Sequence, residues 1–322
     1  MTSPDAGRRD VPAPRDDAAP RHPGLIGLRI AATASAGIDW PRLDETWALA
    51  GELDALDAGW LSDHLSDAAR ERGGPAVEAL TAAAALAHRV RGKWVGIAVL
   101  ANTFRHPSVL AKAATVLDNA TDGRFILGMG AGWHEGEHEA FGIPLPPMAE
   151  RFERFESGVA TVAALFSDAA RTPPGVTRDD PFYSLRDATN EPPPARPGGP
   201  PIWLGGQRRR GIALAARYAD GWPMPGNRPG DVAYFAEKRD EIRRALETAG
   251  RDPDAFTFAA QLSCGTTGAE RREALAVGLA FVRAGAGHVI LGLPASVAPG
   301  GLADVAREVA EPMVEAAGRR GA

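Results

Sequence analysis

Apolar positions along the chain follow two alternating rhythms. Short, nearly continuous apolar runs predict strands at Leu25–Thr33, Trp60–Asp63, Trp94–Ala101, Arg124–Met129, Pro201–Leu204, Asp220–Pro223, Phe256–Leu262 and His288–Leu291. Between them, stripes at helical spacing predict helices. The first is capped by Asp39, carries Leu43, Trp47, Leu49, Leu53 and Leu56, and is expected to end at Gly59. Others cover Val77–Val90, Ser108–Ala120 behind Pro107, Glu150–Phe166, Arg208–Tyr218, Asp231–Ala249, Glu270–Arg283 and Gly301–Ala317.

Strands this apolar must be covered on both faces, which implies a parallel sheet with helices outside it. Eight strand–helix units predict a closed (β/α)8 TIM barrel over residues 25–322. The runs near 60 and 220 are short, and the count of eight depends on them. Residues 1–24 carry five prolines and little to bury, so a disordered tail without a secretory apolar segment is expected. Residues 171–201 are proline-rich and read as an insertion, with a short hairpin around Phe182–Arg186.

Charge and composition narrow the partners. The net charge is −5 and the pI about 5.9, which argues against nucleic-acid binding. Absence of an 18-residue apolar run argues against a membrane span. The single Cys264 excludes an internal disulfide and a cysteine-rich zinc site, and it fits a reducing cytoplasm. Following a buried strand, Cys264 reads as a small core residue, not a nucleophile.

In such barrels chemistry sits at the carboxyl ends of the strands. After the second strand come Asp63 and His64, an acid and an imidazole that can point into the barrel mouth and suits proton transfer. Asn102 and Thr103, followed by Phe104, end the third; they could bond a flat heterocycle, or could serve only as turn residues. The fourth ends in Gly128, Gly130 and Gly132 around Ala131, followed by Trp133 and His134. Alternating glycines allow close backbone approach to a ligand. The fifth ends in Gly205-Gly206-Gln207, then Arg208, Arg209 and Arg210, a cradle for a phosphate or polyanion. A basic surface turn is the plainer alternative.

His134-Glu135-Gly136-Glu137-His138 matches the zinc-protease pattern HExxH. Gly136 inside the required helix and the prolines that soon follow argue against a metal site, and no metal is expected.

Read in order, WLSDHL at 60–65, NTFRHP at 102–107, LGMGAGWHEGEHEAFGIPLPP with Arg151-Phe152, PIWLGGQ at 201–207 and ARYADGW at 216–222 resemble the bacterial-luciferase-like flavin-dependent oxidoreductases. The likeness covers roughly residues 25–295 and leans toward the branch using coenzyme F420. It implies hydride transfer to or from a small organic substrate. His64 would move the proton as the catalytic residue. Asp63, Asn102 and Thr103 would meet the ring; Gly130, Ala131, Gly132 and His134 the ribityl side; Gly205, Gly206, Arg208 and Arg209 the phosphate. Arg208–Arg210 could also meet the acidic tail of the deazaflavin. A non-prolyl cis peptide is expected between Leu100 and Thr103. Family members often pair, which points to a homodimer. One departure is Trp133, standing where some relatives carry a second acid/base glutamate and leaving Glu135 and Glu137 further along. Trp133 and Phe104 would line the substrate pocket. The alternatives are an FMN-dependent two-component monooxygenase using reduced flavin and O2, and a non-catalytic flavin-binding barrel.

Overall fold

The computed structural model describes residues 23–31, 39–66, 75–294 and 296–318. The expected tail at 1–22 and the end of the first predicted strand, including Thr33, lie outside them. Eight parallel strands close a barrel: β1 (Ile26–Ala31), β2 (Ala58–Leu61), β3 (Trp94–Ala101), β4 (Phe125–Gly130), β7 (Ile202–Leu204), β8 (Gly221–Pro223), β9 (Thr257–Ser263) and β10 (His288–Pro294). Around the barrel they run β1-β10-β9-β8-β7-β4-β3-β2, and β1 closes on both β10 and β2. The remaining pair, β5 (Val176–Arg178) and β6 (Leu185–Ala188), forms the expected hairpin within the insertion. Phe182 and Tyr183 sit in its turn, both N–H groups donating to Asp180 Oδ1.

Helices α1 (Trp40–Glu52), α2 (Ala79–Leu86), α3 (Pro107–Ala120), α4 (Glu135–Ala140), α5 (Met148–Phe166), α6 (Arg209–Tyr218), α7 (Val232–Thr248) and α8 (Gly268–Arg283) connect the strands. Asp39 caps α1 by accepting from Arg42 N. That helix ends at Glu52, not Gly59, because the Lys93 ammonium gathers the carbonyls of Ala50, Leu53 and Leu56 at 3.0, 2.6 and 2.8 Å. Gly59 instead lies in β2, where a methyl group would press on the Trp47 ring. Because β2 ends at Leu61, Ser62, Asp63 and His64 leave the sheet at the rim. The last predicted helix is interrupted: α9 (Leu302–Val305) and α10 (Glu311–Ala316) flank a π-helical turn, Ala306–Ala310. Pro312 has no N–H to continue the regular ladder.

The barrel has two apolar layers. Outward residues such as Leu28, Val95 and Leu291 pack beneath the helices. A separate inner cluster takes Ala58, Trp60, Trp94, Ile126, Trp203, Ala259 and Ile290 from six strands. Two indoles fit there because Gly27 and Gly96 face Trp60 and Gly221 faces Trp203; a methyl group at any of them would collide with the ring. Trp60 Nε1 donates to His288 Nε2 at 2.9 Å, and His288 Nδ1 donates to Gly24 O at 2.9 Å.

Candidate active site

Strands β2, β3, β4 and β7 are consecutive around the barrel and parallel, so the residues leaving their carboxyl ends share one wall and one rim. Asp63 is buried, and both its oxygens are engaged. Oδ2 accepts from Ala101 N–H and Arg105 Nη1 at 2.8 Å each, and Oδ1 from Arg105 Nη2 at 2.7 Å. Arg105 also bonds Glu78. A ring hydrogen bond to Asp63 would share an oxygen that already locks the end of β3.

His64 is half-buried, with Nδ1 3.2 Å from Glu137 Oε2. Glu137 is buried and also accepts from the N–H groups of Leu65 and Ser66. Burial alone would raise its pKa, but the His64 contact and these N–H groups hold it below the usual carboxylate range. A carboxylate can only accept, so His64 presents Nδ1–H to it and leaves Nε2 for another partner. The edge of the His64 ring meets Trp133, centroids 6.1 Å apart.

Thr103, His138 and His134 form a second chain. His134 O can only accept, so His138 donates through Nδ1 at 2.8 Å and Nε2 accepts from the Thr103 hydroxyl at 2.8 Å. His134 Nδ1 caps α4 by accepting from Glu137 N at 2.9 Å. Both nitrogens of His138 and Nδ1 of His134 are therefore engaged in hydrogen bonds; His134 precedes the helix instead of lying on it. Gly132 has φ +83, and a methyl group there would strike Thr103 Oγ1; one on Gly130 would meet Val99 at 2.7 Å. Gly132 O accepts from Arg151 Nη1 at 3.1 Å. Asn102 is buried, donates through Nδ2 to the Tyr183 hydroxyl at 3.4 Å, and leaves Oδ1 unbonded. The non-prolyl cis peptide joins Ala98 and Val99, earlier than expected, where the β3–β4 register shifts.

Gly205 N donates to Met129 O at 2.9 Å, which seats the diglycine beside the β4 glycines. Gly206 O accepts from Trp222 Nε1 at 2.9 Å, and its Cα packs on Gly211 of α6. Arg208 and Arg209 at the start of α6 are exposed and make no ion pair among the described residues. Arg210 differs: it pairs with Glu156 at 2.7 Å and lies over Phe152. Phe104 stacks on His138 at 4.9 Å and lines a cavity of about 570 Å³ with Asn102, Thr103 and Tyr183. Trp133 is exposed, packs on His134 and His64, and does not line that cavity. Burial pushes the Cys264 thiol up to about 12, so it stays protonated and unreactive.

Comparison with known proteins agrees with this barrel. The luciferase-like monooxygenase family model matches residues 26–318. The chain belongs to that family. It is 37% identical over 169 residues to a phthiodiolone/phenolphthiodiolone dimycocerosates ketoreductase from Mycobacterium sp. (strain JLS), covering 52% of this chain and 42% of that protein. It is 34% identical over 197 residues to an F420-dependent glucose-6-phosphate dehydrogenase from Beutenbergia cavernae, covering 61% and 56%. The matches thus span about half the length of these curated relatives. A solved F420-dependent secondary alcohol dehydrogenase, in complex with an F420–acetone adduct, shares the fold with a TM-score of 0.70 at 16% identity, covering 91% and 99%. Among the described residues no helix of this luciferase-like chain is long and apolar enough to cross a membrane.

Three residues at this luciferase-like rim were missed by sequence reasoning about the site. Glu137, read as displaced along the chain, reaches His64 because α4 folds back over the loop after β2. His138 orients Thr103, and Arg151 steadies Gly132. Glu137 and His138 stood inside the HExxH match, where the zinc question hid their helical phase. Arg151 carried no local signal beyond its place in the family pattern.

Proposed function

We propose that the protein is a coenzyme F420-dependent oxidoreductase that transfers a hydride to or from a small organic substrate. The observation that carries it is the unbroken wall of four strand ends, where a tautomer-fixed His64, Thr103 and two glycine pairs stand side by side. The residues fit a flat ring with an anionic tail. Gly130 and Gly132 let the rim backbone lie directly against Val99 and Thr103, where methyl groups would collide. The Asn102 amide packs on Gly158 of α5, so its part would be to shape the wall, while Arg208 and Arg209 are exposed cations without an ion pair among the described residues. F420 dependence in a named relative supports the deazaflavin over FMN.

When bound, the deazaflavin would supply the hydride chemistry. Asn102 and Thr103 would line its ring, with Asp63 behind them. Gly130, Ala131, Gly132 and His134 would hold the ribityl side, and Gly205, Gly206, Arg208 and Arg209 the phosphate. His64 Nε2 takes or gives the substrate proton, while Glu137 holds the imidazole in place. Trp133, beside His64, bounds the substrate side, and Phe104 shapes the rim through His138. We assign the enzyme to the cytoplasm, consistent with the lone buried Cys264, and infer a homodimer, for which Val109 and Val116 offer an exposed apolar pair on α3.

Titration with F420 and with FMN, followed by fluorescence, tests the reading. Saturable F420 binding with much weaker FMN binding supports it. Preference for FMN overturns the deazaflavin assignment, and binding of neither overturns the site. Sedimentation at equilibrium tests the dimer.

A further inference from the structure

Strands β8, β9, β10 and β1 form the half of the barrel facing the candidate active-site wall. Arg29 lies on β1, paired in register with Trp60 on one side and Gly292 on the other. Gly27, two residues earlier, points inward at Trp60, so Arg29 projects into the same interior one layer nearer the rim. Its guanidinium nitrogens lie 3.7–3.9 Å from where methyl groups on Gly226 and Gly292 would stand. Nε is buried without a partner, and the Arg29 guanidinium makes no ion pair or hydrogen bond among the described residues. Beside it, Gln261 donates through Nε2 to Met224 O, which fixes the amide and leaves Oε1 buried and unbonded.

A guanidinium drawn away from bulk water without a counter-charge is costly, and an anionic ligand would supply the missing partner. Burial lowers the Arg29 pKa to about 10, so the group is still charged at neutral pH. A neutral carbonyl would leave that charge uncompensated. A carboxylate satisfies it and matches the planar fork of donors.

We propose that Arg29 is a specificity-determining residue that anchors a carboxylate of the substrate inside the barrel mouth, opposite the cofactor wall. A hydroxyl or N–H beside that carboxylate would meet Gln261 Oε1. The substrate is thereby an organic acid. Calling the carboxylate a substrate's rests on the proposed oxidoreductase reading; the carboxylate site itself does not.

The test compares the full-length protein with Arg29→Met in thermal unfolding, using hexanoate as probe and hexanamide as its neutral counterpart. Hexanoate should raise the wild-type midpoint and hexanamide should not. Without ligand, Arg29→Met should melt higher by about 2 °C, because it removes an unpaired charge. It should also lose the hexanoate shift and keep its F420 affinity. A variant that melts lower without ligand would make Arg29 structural and overturn the proposal. So would equal responses to hexanoate and hexanamide, or weakened F420 binding with the hexanoate shift intact. Failure of the wild type to bind F420 would overturn the proposed function and leave the hexanoate result standing.

Discussion

The interior of the barrel differs sharply between its lower and upper halves. Below, Trp60, Trp203 and His288 fill the space ring against ring, and the indole of Trp60 and both imidazole nitrogens of His288 are bonded. Above, the strands offer Ala98, Gly128, Gly130, Gly205 and Gly292, and the polar atoms left over are Arg29 Nε and Gln261 Oε1. The same alternation of inward residues thus builds a plug at one end and a receptacle at the other. Stability is concentrated where side chains are large and satisfied, and binding capacity where they are small or unsatisfied. The harshest way to break this contrast is Trp60→Ala. It opens a large cavity and leaves His288 Nε2 unbonded, so about 3–5 kcal/mol of unfolding free energy should be lost. Urea denaturation measures it, and a loss below about 1 kcal/mol would show that the lower half is not the plug.

At the rim the expected damage is to rate and not to folding. His64→Ala should lower turnover by roughly 10²–10⁴-fold, the usual worth of a positioned acid or base. F420 affinity and the unfolding midpoint should hold. Undiminished turnover would remove His64 from the mechanism. Glu137→Gln should lower kcat less than His64→Ala and leave the substrate KM nearly unchanged, because it only loosens the imidazole. An effect on KM alone would make Glu137 part of substrate binding.

The sequence made the lower half and the order of elements legible, since eight apolar runs separated by helical stripes have few other ways to pack. Trp94–Ala101 is β3 to the residue, because its first half is buried on both faces and its apolar run has no gaps. Boundaries failed where a side chain from elsewhere intervened. Lys93 stops α1 from 41 residues away in the sequence, a capping no local pattern reveals. Strand ends announced Asp63, His64, Thr103 and the glycines, because turn chemistry is local. The His64–Glu137 contact and the unpaired state of Arg29 depend on how distant segments meet across the rim, and periodicity carries no information about that.

A gentler probe fills the receptacle without touching the plug. Gly205→Ala places a methyl group 3.4 Å from Val99 Cγ2 and 3.8 Å from Met129 O, ordinary packing distances. Melting should stay near wild type, while F420 binding weakens about tenfold, equivalent to about 1.4 kcal/mol. Unchanged affinity would place the cofactor away from the diglycine.

The smallest effect tests what holds the rim from outside. Glu78 caps α2, accepting from Thr81 N at 2.7 Å, and bonds the Arg105 that grips Asp63. Burial works to raise its pKa, but the bonds from Thr81 and Arg105 win and hold it at about 2, below its ordinary 4.5. A depressed carboxylate stabilises the fold fully above its unfolded pKa and loses that contribution as pH falls through the folded one. Wild type should therefore exceed Glu78→Gln in stability near pH 7, by under about 1 kcal/mol because the carboxylate is partly exposed to screening solvent. Between pH 4.5 and about 2 the two unfolding curves should converge. A gap that persists unchanged at the acid end would mean that Glu78 acts through its shape and not its charge, and that the rim is locked by Asp63 and Arg105 alone.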